Sequence, residues 1–154
     1  MIIVTGAAGF IGSCLIARLN ELNFNYIIAV DDFSNAEKNR NLEGKAIMER
    51  VNRNDLFSWL EQNHREVEFF FHIGARTDTT EFDYAVHAEL NVKYSKALWN
   101  YASEKQIPFI YASSAATYGS GEHGYTDSHE ILDQLVPLNP YGVSKNEFDK
   151  WAIA

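Results

Sequence analysis

A tyrosine and a lysine four residues apart, Tyr141 and Lys145, are the side chains in this sequence best suited to acid–base chemistry. The dipeptide Asn139-Pro140 before them is typical of a helix start, because asparagine caps a first turn and proline fits its first position. Residues four apart on a helix share one face, and an ammonium beside a phenol lowers the phenol pKa from about 10 towards neutrality. The pair therefore predicts a base that removes a hydroxyl proton while hydride leaves the same carbon.

Small and hydroxylated residues follow an apolar stretch upstream, where Ile110-Tyr111-Ala112 leads into Ser113-Ser114-Ala115-Ala116-Thr117. This composition is typical of a strand that ends beside a ligand. We expect Ser114 to donate to the substrate oxygen and to share the transferring proton with Tyr141. A turn with incidental serine and threonine is the alternative interpretation.

Three glycines, Gly6, Gly9 and Gly12, each separated by two residues, lie between an apolar stretch and a helical pattern. Glycine there permits a positive φ, lets a phosphate approach the backbone and lets the helix pack against the strand. The N-terminus of such a helix offers N–H groups and a partial positive charge to an anion. The spacing predicts a turn that binds the pyrophosphate of NAD or NADP.

An aspartate, Asp31, ends the next apolar stretch about twenty residues after the glycine turn, where a partner for the adenosine ribose is expected. Its carboxylate favours NAD, because it repels a 2′-phosphate. Lys38 and Arg53 follow, and either could neutralise that phosphate. The residues by themselves leave the choice between NAD and NADP open.

The elements needed to bring these side chains together can be read from the remaining sequence. Strand and helix patterns alternate, which predicts an α/β fold with a doubly wound parallel sheet (a Rossmann fold) and ligands at the carboxyl ends of its strands. We expect one NAD(P)-binding domain over residues 1–154. The predicted strands are residues 1–4, 26–30, 67–72 and 108–112, and the predicted helices are 11–23, 54–63, roughly 86–103 and one from 140.

The composition narrows the classes of function. A net charge of −8 with scattered lysine and arginine argues against binding to nucleic acid or an anionic membrane. One cysteine, Cys14, cannot form an intrachain disulfide, and the sequence shows neither a signal-peptide pattern nor a bilayer-spanning apolar run. The five histidines lack ligand spacing, so no metal site is predicted. We expect a cytoplasmic enzyme that acts on a small molecule.

Taken together, the motifs T-G-A-A-G-F-I-G, S-S-A-A-T-Y-G and Y-G-V-S-K resemble those of the extended short-chain dehydrogenase/reductases that act on nucleotide sugars. The resemblance covers essentially the whole chain. It implies that Ser114, Tyr141 and Lys145 form the catalytic group. It also implies a cofactor site formed by Gly6, Gly9, Phe10, Ile11, Gly12, Asp31, Asp32, Lys38, Arg53, Ile73, Gly74, Ala75, Arg76, Thr77, Asn91 and Lys145, in which Phe10 and Ile11 cover the pyrophosphate.

Within that family, the segment Thr79-Thr80-Glu81-Phe82-Asp83 most resembles the 6-epimerases of ADP-glycero-manno-heptose. The resemblance implies a bound NADP that takes hydride from the heptose and returns it to the opposite face, without net redox. Another nucleotide-sugar epimerase, such as a UDP-glucose 4-epimerase, and a cofactor-binding chain without activity remain alternatives. A dehydratase is disfavoured, because Thr117 is followed by Tyr118-Gly119 where that class carries an Asp-Glu pair.

The sequence ends within a helical pattern, at Trp151-Ala152-Ile153-Ala154. Members of the family continue for about as long again, with further strands and a sugar-binding lobe. We therefore expect this chain to be the N-terminal portion of a longer protein whose second acid–base group lies in the later sequence. The resemblance also implies that the full-length chain forms a homo-oligomer.

Overall fold

The structure, a computed structural model, describes all 154 residues. Its contacts divide the chain into two compact units, Met1–Gly74 with Ala102–Ala112, and Ala75–Tyr101 with Ser113–Ala154. The strands are β1 (Ile2–Thr5), β2 (Ile27–Asp31), β3 (Glu49–Asn52), β4 (Phe69–His72) and β5 (Phe109–Tyr111). The α-helices are α1 (Phe10–Glu21), α2 (Ala36–Asn39), α3 (Leu56–Asn63), α4 (Tyr84–His87), α5 (Tyr94–Glu104) and α6 (Pro140–Ile153). None of the helices is long and apolar enough to cross a membrane.

The first unit contains a five-stranded parallel sheet in the order β3-β2-β1-β4-β5. Strand β1 lies in the middle, and its Ile2 pairs with Ile27 on one side and with Phe69 on the other. The chain adds strands outwards on one side of β1 and then returns to its other side at β4. The strand order therefore reverses between β1 and β4, which confirms the predicted α/β fold and identifies the crevice where such sheets bind ligands.

The core of this unit explains why its central strands, β1 and β2, are continuous apolar runs. Every residue of β2 is buried, as are Ile3 and Val4 of β1, because a parallel sheet is covered on both faces. The helical spacing in α1 buries Ile16 and Leu19 against these strands. Each large apolar side chain buried in this way contributes roughly 1.5–3 kcal/mol to folding.

Strand β3 and helix α2 were not predicted from the sequence. Strand β3 consists of Glu49, Arg50, Val51 and Asn52, and only Val51 is buried, because the strand forms an edge of the sheet. An edge strand with polar side chains lacks the apolar pattern that marks a central strand. Helix α2 is one turn long and is capped by Asn35, whose side chain accepts from Lys38 N–H.

In the second unit, one predicted helix start is confirmed and one predicted helix differs from the structure. The start of α6 is confirmed, because the Asn139 side chain accepts from Gly142 N–H at 2.8 Å and Pro140 occupies the first turn. The helix predicted over roughly 86–103 is instead a succession of α4, a π-helical segment at Ala88–Lys93, and α5. Trp99 of α5 packs edge-on against Phe148 and Trp151 of α6.

Candidate active site

The glycine turn after β1 has a geometry that side chains cannot occupy. Gly6 has a φ of +64°, and a Cβ there would lie 2.6 Å from the Cα of Gly74. A Cβ on Gly12 would lie 2.2 Å from the carbonyl oxygen of Gly6, and one on Gly9 would lie 3.1 Å from the same atom. The turn is therefore packed backbone against backbone, as the spacing predicted.

Hydrogen bonds join the ends of β1 and β4 beside this turn. The Thr5 hydroxyl oxygen accepts from Gly74 N–H at 3.1 Å and lies 2.7 Å from His72 Nδ1. Both Thr5 and His72 are buried. The backbones of Gly6 and Gly74 also touch, so these contacts hold the glycine turn against the segment that follows β4.

The start of α1 offers donors to an anion. Its N-cap residue, Gly9, makes no side-chain capping bond, and no acidic residue lies in the first turn. The first N–H groups of a helix have no partner within the helix, and they attract phosphate. Phe10 and Ile11 on this turn are exposed, by 81% and 60%. A pyrophosphate fits against the backbone of this glycine turn, with the two apolar side chains available to cover it.

The predicted ribose ligand, Asp31, is already engaged by protein donors. Its carboxylate is buried and accepts from Ala8 N–H at 2.9 Å, from Asp32 N–H at 2.8 Å and from Lys38 Nζ at 2.6 Å. The Ala8 bond connects the end of β2 to the glycine turn. Asp31 therefore shapes the turn, and its ion pair places the Lys38 ammonium at the end of β2.

A second ion pair lies beside the first. Arg53 donates to the Asp32 carboxylate at 3.2 Å, and both side chains are partly exposed. Hydrogen bonds from the Ser34 side chain and backbone lower the pKa of Asp32, and the charges of Arg53 and Lys38 lower it further. Two carboxylates and two cations thus lie together at the end of β2, where carboxylates can accept from ribose hydroxyls and the cations can bind a 2′-phosphate.

The predicted base and its lysine lie on the first turns of α6. Lys145 is buried, with 2% of its surface exposed, and Tyr141 one turn earlier is half-buried. Burial lowers the pKa of Lys145, and the negative charge of Asp149 opposes that effect. When the lysine is protonated, solvent does little to screen its charge at this buried position.

Ser114 begins the short helical turn Ala115–Tyr118, and its Oγ accepts from Ala116 N–H at 3.1 Å. That bond uses an acceptor position of the hydroxyl and leaves its hydrogen available to a substrate oxygen. The turn packs directly against α6, because a Cβ on Gly142 would lie 2.7 Å from the Ala116 carbonyl oxygen. The structure thus brings the predicted serine to the helix that carries the predicted tyrosine and lysine.

Asn91, in the π-helical segment, uses its whole amide. Its Oδ1 accepts from Arg76 N–H at 2.7 Å, and its Nδ2 donates to the Arg76 carbonyl at 3.0 Å and to Ser144 Oγ at 2.9 Å. Ser144 in turn donates to the Tyr141 carbonyl at 2.7 Å. The buried amide therefore joins the backbone after β4 to the helix between the predicted tyrosine and lysine.

Replacement of Asn91 by alanine is expected to lower the free energy of unfolding by about 2–3 kcal/mol, because it removes the bond to the buried Ser144 hydroxyl and both bonds to the Arg76 backbone. Urea denaturation followed by circular dichroism measures this change. The matched control is Asn100→Ala, at an exposed position of α5, for which we expect a change within about 0.5 kcal/mol. Equal destabilisation by the two substitutions would contradict the structural role of Asn91.

Three polar residues near the candidate catalytic group were not indicated by the sequence patterns. The Ser113 hydroxyl donates to the buried carboxylate of Asp149, and His87 Nε2 lies 3.2 Å from the carbonyl oxygen of Glu81. The ring centroid of His87 lies 6.2 Å from that of Tyr141. Ser113 lies in the hydroxylated stretch after β5, but that pattern favoured Ser114, and helical spacing could have pointed to Asp149, one turn after the lysine. No local pattern marks His87.

The predicted site residues fall in both compact units. Those in the first unit are Gly6, Gly9, Phe10, Ile11, Gly12, Asp31, Asp32, Lys38, Arg53, Ile73 and Gly74, and those in the second are Ala75, Arg76, Thr77, Asn91, Ser114, Tyr141 and Lys145. Residues 73–77 follow β4 directly.

Comparison with protein families shows which class of protein carries both a glycine turn of this kind and a tyrosine–lysine pair. Residues 2–154 match the model of the NAD dependent epimerase/dehydratase family. The chain belongs to this family. The pyrophosphate of NAD, the cofactor in the family's name, suits the glycine turn between Gly6 and Gly12 and the helix N-terminus that follows it.

Individual members of the epimerase/dehydratase family resemble the chain closely over part of their length. An ADP-L-glycero-D-manno-heptose-6-epimerase from Fusobacterium nucleatum is 45% identical over 157 aligned positions, which cover 99% of this chain and 47% of the relative. The chain thus spans about half the length of the curated relative it matches.

Solved structures of two epimerases share the fold. The ADP-L-glycero-D-manno-heptose-6-epimerase of Helicobacter pylori has a TM-score of 0.78 at 25% identity, with 99% of this chain and 50% of that chain covered. A UDP-glucuronic acid 4-epimerase from Bacillus cereus, in complex with UDP-glucuronic acid and NAD, has a TM-score of 0.75 at 25% identity, with 97% and 50% covered. The two enzymes differ in the nucleotide and the sugar that their names specify, so the shared fold alone does not select a substrate.

Proposed function

We propose that the natural gene product converts ADP-D-glycero-D-manno-heptose to ADP-L-glycero-D-manno-heptose. The observation that carries an epimerase reaction is the buried Lys145 one turn from Tyr141, on a helix packed against the turn of Ser114. The choice of heptose is supported by the 45% identity to the Fusobacterium heptose epimerase over 99% of this chain. The proposed product is a precursor of the lipopolysaccharide inner core.

In the proposed reaction, a bound nicotinamide supplies a reversible hydride acceptor, so that the sugar carbon is oxidised and then reduced from its other face. Tyr141 takes the proton of the sugar hydroxyl as hydride leaves the same carbon. Ser114 donates a hydrogen bond to the same oxygen, with the hydrogen that its own turn leaves available. Lys145 stabilises the phenolate form of Tyr141 through its positive charge. We expect a second acid–base group, in the remainder of the natural protein, to protonate the sugar oxygen when hydride returns to the other face.

The cofactor that we propose is NADP, with NAD as a weaker ligand. Lys38 and Arg53 supply two cations at the end of β2, and both remain partly exposed in their ion pairs. A 2′-phosphate carries more negative charge than one carboxylate, so it can draw both cations from their present partners.

Replacement of Lys38 by alanine is expected to raise the Kd for NADP by about tenfold, because one charge-assisted hydrogen bond to the phosphate is lost. The Kd for NAD should stay within about twofold, since NAD has no 2′-phosphate to bind. Isothermal titration calorimetry with each dinucleotide measures both values. Lys93→Ala, which removes an exposed lysine paired with Glu89, is the control. Equal losses for NAD and NADP would contradict the proposed 2′-phosphate contact.

We further propose that the protein works in the cytoplasm and, at its natural length, as a homo-oligomer. The net charge of −8 and the absence of a helix suited to cross a membrane are compatible with this location. Size-exclusion chromatography with light scattering on the natural gene product tests the oligomeric state, and a monomer at micromolar concentration would contradict it.

A substrate comparison tests the proposed function. The natural gene product is incubated with ADP-D-glycero-D-manno-heptose and, separately, with UDP-glucose, and the sugar products are separated by anion-exchange chromatography. We expect turnover of the heptose and little or none of the glucose. Turnover of UDP-glucose alone would assign the protein to the 4-epimerases, and binding of dinucleotide without turnover of either sugar would leave a cofactor-binding chain.

A further inference from the structure

A buried carboxylate lies on α6 one turn beyond the predicted catalytic lysine. Asp149 has 4% of its surface exposed, although aspartate is almost never buried without a partner. It follows Lys145 by four residues, so both side chains project from one face of the helix. The proposed reaction does not use this carboxylate.

The carboxylate has a hydrogen-bond donor outside the helix. The Ser113 hydroxyl donates to Asp149 Oδ2, and Ser113 directly precedes Ser114 in the chain. A charge-assisted bond of this kind is stronger than one between neutral groups. The backbone that carries the predicted serine donor is therefore tied to the face of α6 that carries Lys145.

The charge of Asp149 also acts on Lys145. Burial favours the neutral amine and lowers the lysine pKa, and the nearby carboxylate raises it. The other charged groups on α6 have partners elsewhere: Glu147 accepts from Tyr84 and lies near Lys96, and Lys150 lies near Asp133.

The elements packed against α6 present further titratable groups. These are Tyr84 and His87 from α4, Glu89 and Lys93 from the π-helical segment, Lys96 from α5, Tyr118 from the turn after Ser114, and His129, Glu130 and Asp133 from the 3₁₀ helix His129–Gln134. Glu89 and Lys93 pair with each other, and Tyr118 donates to Asp127. The negative charge that raises the pKa of Lys145 is that of Asp149.

We propose that Asp149 is a positioning residue that keeps Lys145 charged and holds Ser114 in place through Ser113. Tyr141 then has a positive charge beside it, and the substrate oxygen has the Ser114 hydroxyl as its hydrogen-bond donor. This inference rests on the proposed function for its catalytic consequence. Its electrostatic half concerns only side chains of this chain and can be measured without turnover.

The direct test follows the titration of Lys145 by NMR in the natural gene product labelled with ¹³C at lysine Cε. The Lys145 signal is assigned by its disappearance in Lys145→Arg. In Asp149→Asn, we expect the titration midpoint of Lys145 to fall by about one pH unit, a tenfold loss of proton affinity, because burial then acts unopposed. In Asp149→Glu, the midpoint of Lys145 should return most of the way to its wild-type value, because the negative charge is present again.

Glu147→Gln is the matched control, because it removes a carboxylate from an exposed position of the same helix. It should leave the Lys145 midpoint unchanged. An unchanged midpoint in Asp149→Asn, or an equal fall in Glu147→Gln, would overturn the electrostatic half of the proposal. This result is independent of substrate, so failure of the heptose reaction in the wild-type protein would not be confused with it.

Ser113→Ala tests the second half and does not disturb the core, because Ser113 is exposed. We expect kcat to fall by about fivefold to tenfold with KM for the sugar nearly unchanged, because the donor at Ser114 is misplaced rather than removed. In Asp149→Asn, the alkaline limb of the kcat profile should also move to lower pH, together with the NMR midpoint. Unchanged kcat in Ser113→Ala would overturn the link to Ser114. Should Asp149→Asn fail to fold, Asp149→Glu and Ser113→Ala still decide between the outcomes.

Discussion

Replacement of Tyr141 by phenylalanine is expected to lower kcat by about a hundredfold to ten-thousandfold, because it removes the proton acceptor of the proposed reaction. The aromatic ring is kept, so the contact of residue 141 with the His87 ring and the packing of α6 should remain. Cofactor affinity should stay within about twofold, since the turn that we expect to bind the dinucleotide is formed by other residues. Steady-state kinetics of the natural gene product with the heptose substrate, together with calorimetry of cofactor binding, measures both effects.

Tyr26→Phe serves as the matched control, because Tyr26 is exposed and precedes β2. It removes the same phenol oxygen and should leave kcat within about twofold. Turnover by Tyr141→Phe at the wild-type rate would show that another group transfers the proton. A large loss of cofactor binding in the same variant would instead assign Tyr141 to the dinucleotide site.

Replacement of Gly12 by alanine is expected to abolish cofactor binding at micromolar concentrations. The added Cβ would lie 2.2 Å from the carbonyl oxygen of Gly6, so the backbone of the turn has to move. Such overpacking costs typically about 1–3 kcal/mol, and here it displaces the backbone that is expected to contact the pyrophosphate. Gly9→Ala places its Cβ 3.1 Å from the same oxygen and should weaken binding less.

A second glycine separates loss of binding from general loss of stability. Gly44 has a φ of +71° and open space around a Cβ, so Gly44→Ala strains the backbone without a clash. We expect it to lower the melting temperature, since a left-handed residue with a Cβ costs about 1–2 kcal/mol, and to leave the cofactor Kd unchanged. Wild-type affinity in Gly12→Ala would mean that the cofactor does not use this turn.

The sequence predicted the central part of the fold well, because central parallel strands are buried on both faces and their residues form continuous apolar runs. β1 and β2 are of this kind, and so is the helical spacing that buries Ile16 and Leu19. Edge strand β3 was missed because its side chains are mostly exposed and polar. The π-helical segment Ala88–Lys93 was missed because a local change of backbone hydrogen-bond register within a helix is not visible in a residue pattern.

The candidate site shows the same division between local and long-range features. Motifs with fixed spacing, such as the glycine turn and the Tyr141–Lys145 pair, depend on a few neighbouring residues, so the sequence alone pointed to them. The contact between Ser113 and Asp149 joins residues 36 positions apart, and it depends on how α6 packs against the turn of Ser114. Asp31 was predicted to bind ribose, yet its bond to Ala8, 23 positions away, shows a further task that no local pattern could indicate.

The most direct measurement of the proposed reaction follows a deuterium label. ADP-D-glycero-D-manno-heptose deuterated at C6 is incubated with the natural gene product, and the epimer is analysed by mass spectrometry and NMR. If the sugar carbon is oxidised and then reduced within one binding event, the epimer retains its deuterium, and absorbance at 340 nm shows no accumulation of reduced cofactor. Loss of the label to solvent, or net reduction of cofactor in step with sugar consumption, would contradict the proposed reaction.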